Sequence, residues 1–86
     1  MNIFVSELLG TLIFMLAVLS TSNPFYIALV FLVAIMVAKF SKGHLNPVIT
    51  MVKYIQGAVT KPEVVQYLSG QVLGALIAYY VIKLKK

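Results

Sequence analysis

The chain is short, apolar and basic, which excludes most classes of soluble protein. Of its 86 residues, 62% are hydrophobic and 10% are charged, and the formal net charge is +5. Soluble domains carry about 25% charged residues, so the composition indicates an integral membrane protein with room for about three spans. The lysines lie at the ends of apolar runs, which favours contact with the lipid bilayer surface over contact with nucleic acid. Cysteine is absent, so the sequence carries no signal of the redox compartment.

The first apolar run predicts a membrane-spanning helix over about residues 3–20. Glu7 and Thr11 are four residues apart and Phe14 follows three later, so the three side chains share one helical face. Because a carboxylate inside a span is costly, we expect Glu7 to face the protein interior and to be hydrogen-bonded there. In the alternative interpretation, Glu7 lies five residues from Asn2 and simply reaches the membrane interface.

A second apolar run predicts a span over about residues 25–40, after an uncharged turn over 21–24. No charged side chain interrupts this run before Lys39. Lys39 and Lys42 then flank the exit from the membrane, where their ammonium groups can reach water while their stems stay in the apolar region.

The stretch over 43–50 places a His, an Asn and a Pro in the middle of this apolar chain. A spanning helix has no use for such a cluster, because hydrocarbon offers no water to freed backbone groups. Asn46 is instead a good helix N-cap, and Pro47 suits the first helical position, which needs no N–H. The pattern predicts a re-entrant half-helix over about residues 46–57 with Gly57 as its C-cap, about 16 Å long, or half a bilayer core.

The last apolar run predicts a third span over about residues 63–82, which opens with a capping box formed by Thr60 and Glu63. Gln71 in mid-span needs a hydrogen-bond partner, and both a bond between helices and a pore-facing role stay open. Small residues are expected at points of close helix packing, namely Gly10, Gly70 and Gly74.

This order of segments predicts an all-α membrane protein with three transmembrane helices and one re-entrant half-helix, in a single domain over residues 1–86. No internal repeat is visible. An enzyme is not expected, because one His, two Glu and no Asp or Cys provide no nucleophile–base pair. His44 has no neighbouring ligand residues, so neither a metal nor another cofactor is predicted.

The polar residues of the chain resemble, in order, the signature of the N-terminal half of an aquaporin, a protein of the major intrinsic protein family. The resemblance covers nearly the whole chain and implies an aquaporin-like half-repeat. The segments that carry it are the first-span pattern at Glu7, Thr11 and Phe14, the Asn-Pro-Ala signature at 43–50, and the third-span pattern at Tyr67, Gln71, Gly74 and Ala75.

In that family two inverted halves form one pore, and their half-helices meet end to end at the bilayer midplane. The resemblance implies that the Asn46 amide donates to a passing water or hydroxyl group and that Pro47 stacks against its counterpart. Glu7 would brace the non-helical loop through hydrogen bonds, with help from Gln71. Backbone carbonyls would form a ladder of acceptors at three positions, Gly43, His44 and Leu45.

Departures from the family pattern bear on packing and selectivity. The box reads Asn-Pro-Val, with the bulkier Val48 in its third position, and the Ala usual between Gly43 and His44 is missing. The chain has no Arg, and Ile49 stands where the family's second half carries one. We therefore expect a less polar filter, lined by apolar or aromatic side chains around residues 25–27.

Since the second half is missing, we expect the pore to form from an antiparallel homodimer with one copy inserted each way, and a higher oligomer beyond it. A fixed orientation usually shows a clear lysine and arginine excess on the cytoplasmic side. The lysines here fall into two nearly equal groups near opposite ends of the spans, Lys39, Lys42, Lys53 and Lys61 in one and Lys83, Lys85 and Lys86 in the other. The pattern is compatible with dual insertion, unless Lys53 is buried in the half-helix.

Three functions fit this pattern. The one we favour is a passive channel for water and small neutral solutes such as glycerol. The second is an aquaporin-like homo-oligomer that conducts ions or is purely structural, because the Arg is lost. The third is a holin-type membrane-permeabilising protein, since that class is also small, three-span and lysine-ended.

Overall fold

Four α-helices make up the described part of the chain, which the computed structural model gives as residues 1–85. Within that range there is no strand, so the described chain is all-helical, as predicted. Lys86, expected at the membrane surface, lies outside the described residues. The elements are α1 over Ile3–Ser20, α2 over Pro24–Val37, a 3-10 turn over Lys39–Ser41, α3 over Pro47–Ile55 and α4 over Lys61–Lys85.

Polar residues cap the starts of the long helices and satisfy their first free N–H groups. The Asn2 side chain accepts from the Val5 N–H at 2.8 Å at the start of α1, and Asn23 caps α2 in the same way. At the start of α4, the Thr60 N–H donates to Glu63 Oε1 at 2.8 Å and the Glu63 N–H donates to Thr60 Oγ1 at 3.4 Å. This reciprocal pair is the geometry of a capping box.

The end of α2 differs from its predicted position near residue 40. The helix stops at Val37, and the Ala38 carbonyl then accepts two backbone N–H groups, from Ser41 at 3.1 Å and from Gly43 at 3.0 Å. These bonds wind the chain into the 3-10 turn and redirect it toward α1. Hydropathy alone does not reveal this change, because the turn itself contains the apolar Phe40.

α3 is also shorter than predicted, with nine residues and a length of about 14 Å. Gly57 lies beyond its end with φ +80°, a left-handed conformation that favours glycine. The Gly57 N–H donates to the Tyr54 carbonyl at 3.0 Å and so ends the helix. By contrast, α1 has its predicted bounds, and α4 extends beyond its predicted bounds at both ends.

Two helices are long and apolar enough to cross a membrane by length and composition, the 18-residue α1 and the 25-residue α4. α2 is apolar but has 14 residues, which gives about 21 Å against a hydrocarbon core of about 30 Å. The described chain therefore contains two candidate spans and one shorter apolar helix.

α1 lies at the centre of the fold and packs against α2 and, most extensively, α4. The α1–α4 pair runs parallel, because Gly70 lies beside Phe4 and Gly74, one turn further on, lies beside Leu8. A Cβ added at Gly70 would lie 2.6 Å from the Phe4 carbonyl oxygen, and one added at Gly74 would lie 2.5 Å from that of Leu8. Neither position has room for a side chain, so the two backbones approach as closely as small residues permit.

A small apolar core lies between α1, the end of α2 and the loop that precedes α3. Ala34, Ala38 and Leu45 are buried there. Gly10 faces them from α1, where an added Cβ would lie 2.7 Å from both Ala38 Cβ and Leu45 Cδ2. The loop is therefore anchored by apolar packing as well as by the polar contacts described below.

We expect Gly70→Val to destabilise the fold by at least about 2 kcal/mol, because the new side chain meets the α1 backbone and forces the helices apart. The measurement is the unfolding transition of the detergent-solubilised chain, followed by circular dichroism. Ser69→Val introduces the same side chain at the neighbouring, exposed position of α4 and is the control. Equal stability of the two variants would contradict the close α1–α4 contact.

Candidate functional site

The carboxylate of Glu7 is the centre of a buried polar cluster, and the residue has no exposed surface. Glu7 Oε1 accepts from the Leu45 N–H at 2.8 Å and from Gln71 Nε2 at 2.9 Å. Glu7 Oε2 accepts from Ser41 Oγ at 2.6 Å and from the His44 N–H at 3.2 Å. Four donors match the four lone-pair sites of a carboxylate, so this buried group is fully hydrogen-bonded.

Two serines connect α1 to the 3-10 turn. The Ser41 N–H donates to Ser6 Oγ at 3.2 Å, and the two hydroxyl oxygens are 2.8 Å apart. Because Ser41 Oγ donates its hydrogen to Glu7, the Ser6 hydroxyl donates to Ser41. On the other side, the Tyr67 O–H donates to the Ser41 carbonyl at 2.7 Å, so α4 holds the same turn. Neither serine is among the predicted site residues, and their only sequence signal is a small polar group in an apolar run.

A second layer of contacts joins the loop to α3 and α4. The His44 ring stacks on the Tyr67 ring with centroids 3.9 Å apart and planes 6° from parallel. His44 Nδ1 lies 3.0 Å from Thr50 Oγ1, and Gln71 Nε2 donates to the same oxygen at 3.1 Å. All four side chains are buried. The first turn of α3 is thus tied to α4 and to the loop through Thr50.

The loop between the 3-10 turn and α3 has a left-handed backbone at three positions. Lys42, Gly43 and Leu45 have φ of 68°, 58° and 54°, a conformation that costs about 1–2 kcal/mol for a residue with a Cβ. The N–H groups of His44 and Leu45 both donate to Glu7. Within residues 1–85, the carbonyl oxygens of Gly43, His44 and Leu45 accept no hydrogen bond. Three successive carbonyl oxygens of the loop therefore have no hydrogen-bond partner among the described residues.

Asn46 joins the loop to α3 and is exposed. Its Oδ1 accepts from the Val48 N–H at 2.8 Å and so caps the helix. Its Nδ2 has no acceptor in the described part of the chain. The residues that follow are exposed as well, Val48 at 66% and Ile49 at 40%. The tip of α3, which we define as residues 46–49, thus presents an exposed amide donor, and the three residues with unpaired carbonyls directly precede it in the chain.

A cavity of about 400 Å³ opens next to the loop, between α3, α4 and the start of α1. We call it the mouth cavity. Its volume is enough for on the order of ten water molecules. The residues that line it include Lys42, Gly43, His44, Ile49, Lys53 and Glu63.

Some predicted residues lie elsewhere or make no contact with the cluster. Phe25 and Tyr26, at the start of α2, are exposed and do not line the mouth cavity. Lys53 is exposed rather than buried in α3. Thr11 is buried, but its Oγ1 has no hydrogen-bond partner within residues 1–85, and the same is true of Gln71 Oε1.

The described chain combines an all-helical fold, two helices long and apolar enough to cross a membrane, and a buried carboxylate that holds a capped, non-helical loop, the features expected of a helical membrane protein. A family profile described as Major intrinsic protein matches residues 2–86. The chain therefore belongs to the major intrinsic protein family, the aquaporin family of membrane channels, and the predicted resemblance is confirmed. A search of curated proteins and a search of solved structures each returned no significant match.

Glu7→Gln is expected to loosen the loop. An amide has one acceptor oxygen instead of two, so about two of the four donors lose their partner, at about 1–3 kcal/mol each. Exchange of the His44 or the Leu45 amide hydrogen, whichever faces the new NH₂ group, should become at least about tenfold faster when followed by NMR in detergent.

The matched control is Glu63→Gln, which makes the same chemical change in the capping box of α4. It should leave the exchange of both loop amides as in the wild type. Unchanged exchange in Glu7→Gln would show that the carboxylate does not hold the loop.

Proposed function

We propose that this chain forms a passive membrane channel for water and small neutral solutes, with glycerol among the candidates. The observation that carries the proposal is the row of unpaired carbonyl oxygens at Gly43, His44 and Leu45 beside the Asn46 amide. A solute in single file loses most of its hydration, and acceptors along the path with a donor at its end replace that hydration. Family membership supports the proposal, since the family consists of membrane channels.

We infer a topology of three spans and one re-entrant half-helix, so that residues 1–86 form one aquaporin-like half-repeat. α1 and α4 would supply two spans, and α2 with the turn over Lys39–Ser41 would supply the third. The length of α3, about 14 Å, is close to half of a hydrocarbon core of about 30 Å. Irregular backbone at that depth is tolerated where it is buried in protein or lines a water-filled cavity. The hydrogen bonds from the loop to Glu7 support burial of the loop in protein. The adjacent mouth cavity supports contact of the loop with water.

A second copy in inverted orientation would complete the pore. The tip of α3 is exposed and largely apolar, with Val48 66% exposed. At the middle of a membrane, its one amide donor, Asn46, would need a partner surface. In an antiparallel homodimer, a two-fold axis in the membrane plane would bring the same tip of the second copy onto it. Pro47 would then stack against Pro47 of the second copy. Several such dimers would form the higher oligomer, as family members are oligomeric channels.

The distribution of lysines supports insertion in both orientations. Because α1 and α4 are parallel, Lys61 lies at the same end of the fold as the start of α1, together with the mouth-cavity lysines. Lys83 and Lys85 lie in the last turn of α4, at the opposite end. Positive charge at both ends gives no clear cytoplasmic excess and therefore no strong preference for one orientation.

Two facing half-helices would disfavour cations in the pore. Each helix N-terminus carries a partial charge of about +0.5, and two would converge on one point. With Ile49 in place of the family's Arg, the rest of the filter would be apolar, and residues 25–27 remain the candidates to line it. The missing Arg also favours a second candidate function, a homo-oligomer that conducts ions or is purely structural.

Proteoliposomes that contain the purified chain should shrink faster than protein-free liposomes in an osmotic gradient of sorbitol, without electrical conductance.

Asn46→Asp should reduce water flux several-fold and admit cations, because a carboxylate removes the amide donors and attracts cations. Asn23→Asp makes the same change at the exposed cap of α2 and is the matched control.

The other functions predict different results in the same vesicles. Current with leakage of large dyes indicates a holin-type protein, and small-ion current without dye leakage indicates the ion-conducting homo-oligomer. If Asn46→Asp keeps the water flux and the ion exclusion of the wild type, the role proposed for Asn46 is wrong.

A further inference from the structure

The mouth cavity carries more positive than negative charge. Lys42 lines it from the loop, Lys53 from α3, and Glu63 contributes a single carboxylate from α4. That carboxylate already accepts the Thr60 N–H at 2.8 Å in the capping box. Two lysines and one engaged carboxylate therefore line the cavity, and His44, which also lines it, adds positive charge only when its ring is protonated.

In the proposed pore, Lys53 would lie between the unpaired carbonyls and the outside. It follows Ile49 by four residues on α3, so the two side chains share one helical face about 6 Å apart along the axis. Both line the mouth cavity, as do Gly43 and His44, two of the residues with unpaired carbonyls. A solute that leaves the carbonyl row through this cavity would pass Ile49 and then Lys53.

We propose that Lys42 and Lys53 add a second charge barrier to the pore, which repels cations at its mouth before they reach the half-helix N-termini, in a chain that lacks arginine. This inference rests on the proposed function, because it assigns selectivity to that pore. A cleft lined by one sign of charge focuses its field and lowers the local concentration of ions of the same sign. In the antiparallel dimer each copy contributes one mouth, so the two membrane faces carry identical positive mouths and cation exclusion is symmetric.

The test compares the full-length variant K42E/K53E with the wild type in phosphatidylcholine vesicles. Exchange of tracer rubidium at equal rubidium concentration on both sides is measured and divided by the osmotic water permeability of the same vesicles. This ratio should rise at least about tenfold in K42E/K53E, because the field at the mouth changes sign. The single variant K53Q should show a smaller rise, and it tests the proposal if the double variant does not insert.

The matched control is K83E/K85E, which makes the same charge reversal at the other end of α4. Lys83 lies there with its Nζ 5.9 Å from the centre of the Tyr80 ring, and it does not line the mouth cavity. The control should keep the wild-type ratio.

In the wild type itself, the rubidium-to-water ratio should rise with ionic strength, since the Debye length falls from about 30 Å at 0.01 M to about 3 Å at 1 M salt.

The outcomes separate this inference from the function on which it rests. If vesicles with K42E/K53E conduct water and have the same rubidium-to-water ratio as the wild type, the proposed role of the two lysines is wrong and the proposed pore is unaffected. An equal rise in K83E/K85E also overturns it, because general surface charge would then explain the effect. Wild-type vesicles without water flux overturn the proposed pore itself.

Discussion

One buried carboxylate determines how the segments of this chain lie relative to each other. The four donors to Glu7 come from the 3-10 turn, the loop and α4. A buried donor left unpaired costs about 1–3 kcal/mol, so these segments cannot separate from α1 independently. The left-handed backbone of the loop persists because the N–H groups of His44 and Leu45 have this fixed acceptor. The carbonyls of the same residues remain unpaired, which is the property that the proposed pore uses.

The hydrogen bonds to Glu7 require α1 and α4 to be in near contact. The bond from Gln71 Nε2 to Glu7 Oε1, at 2.9 Å, joins the two helices directly. In lipid the hydrophobic effect does not drive helices together, so close packing and hydrogen bonds between them must do so. Gly70 and Gly74 provide the close approach and the polar cluster provides the bonds, so both sets of residues stabilise the same interface.

Sequence patterns predicted the helices better than the contacts between them. The bounds of α1 follow from local signals, a capping Asn2 and an uncharged turn after the last apolar residue. After the end of α2, Ser41 hydrogen-bonds to Ser6, which lies 35 residues earlier in the chain. Hydrophobic periodicity reflects local sequence and cannot predict such a long-range contact. Glu7 was expected inside because of the cost of its charge, and the family resemblance implied that it braces the loop with help from Gln71. Its remaining donor, Ser41, was not predicted, because only the folded chain brings the 3-10 turn to Glu7. The roles of the tip residues stay predictions, since they concern a second copy.

Oxidative cross-linking in membranes tests most directly whether two α3 tips face each other. The chain has no cysteine, so Val48→Cys introduces a single thiol at the tip and Ser22→Cys introduces one at the turn between α1 and α2. Tips that meet at the midplane of an antiparallel dimer should give a disulfide-linked dimer for Val48→Cys and none for Ser22→Cys, whose thiols would lie on opposite membrane faces. Cross-linking at Ser22 without cross-linking at Val48 would contradict the account.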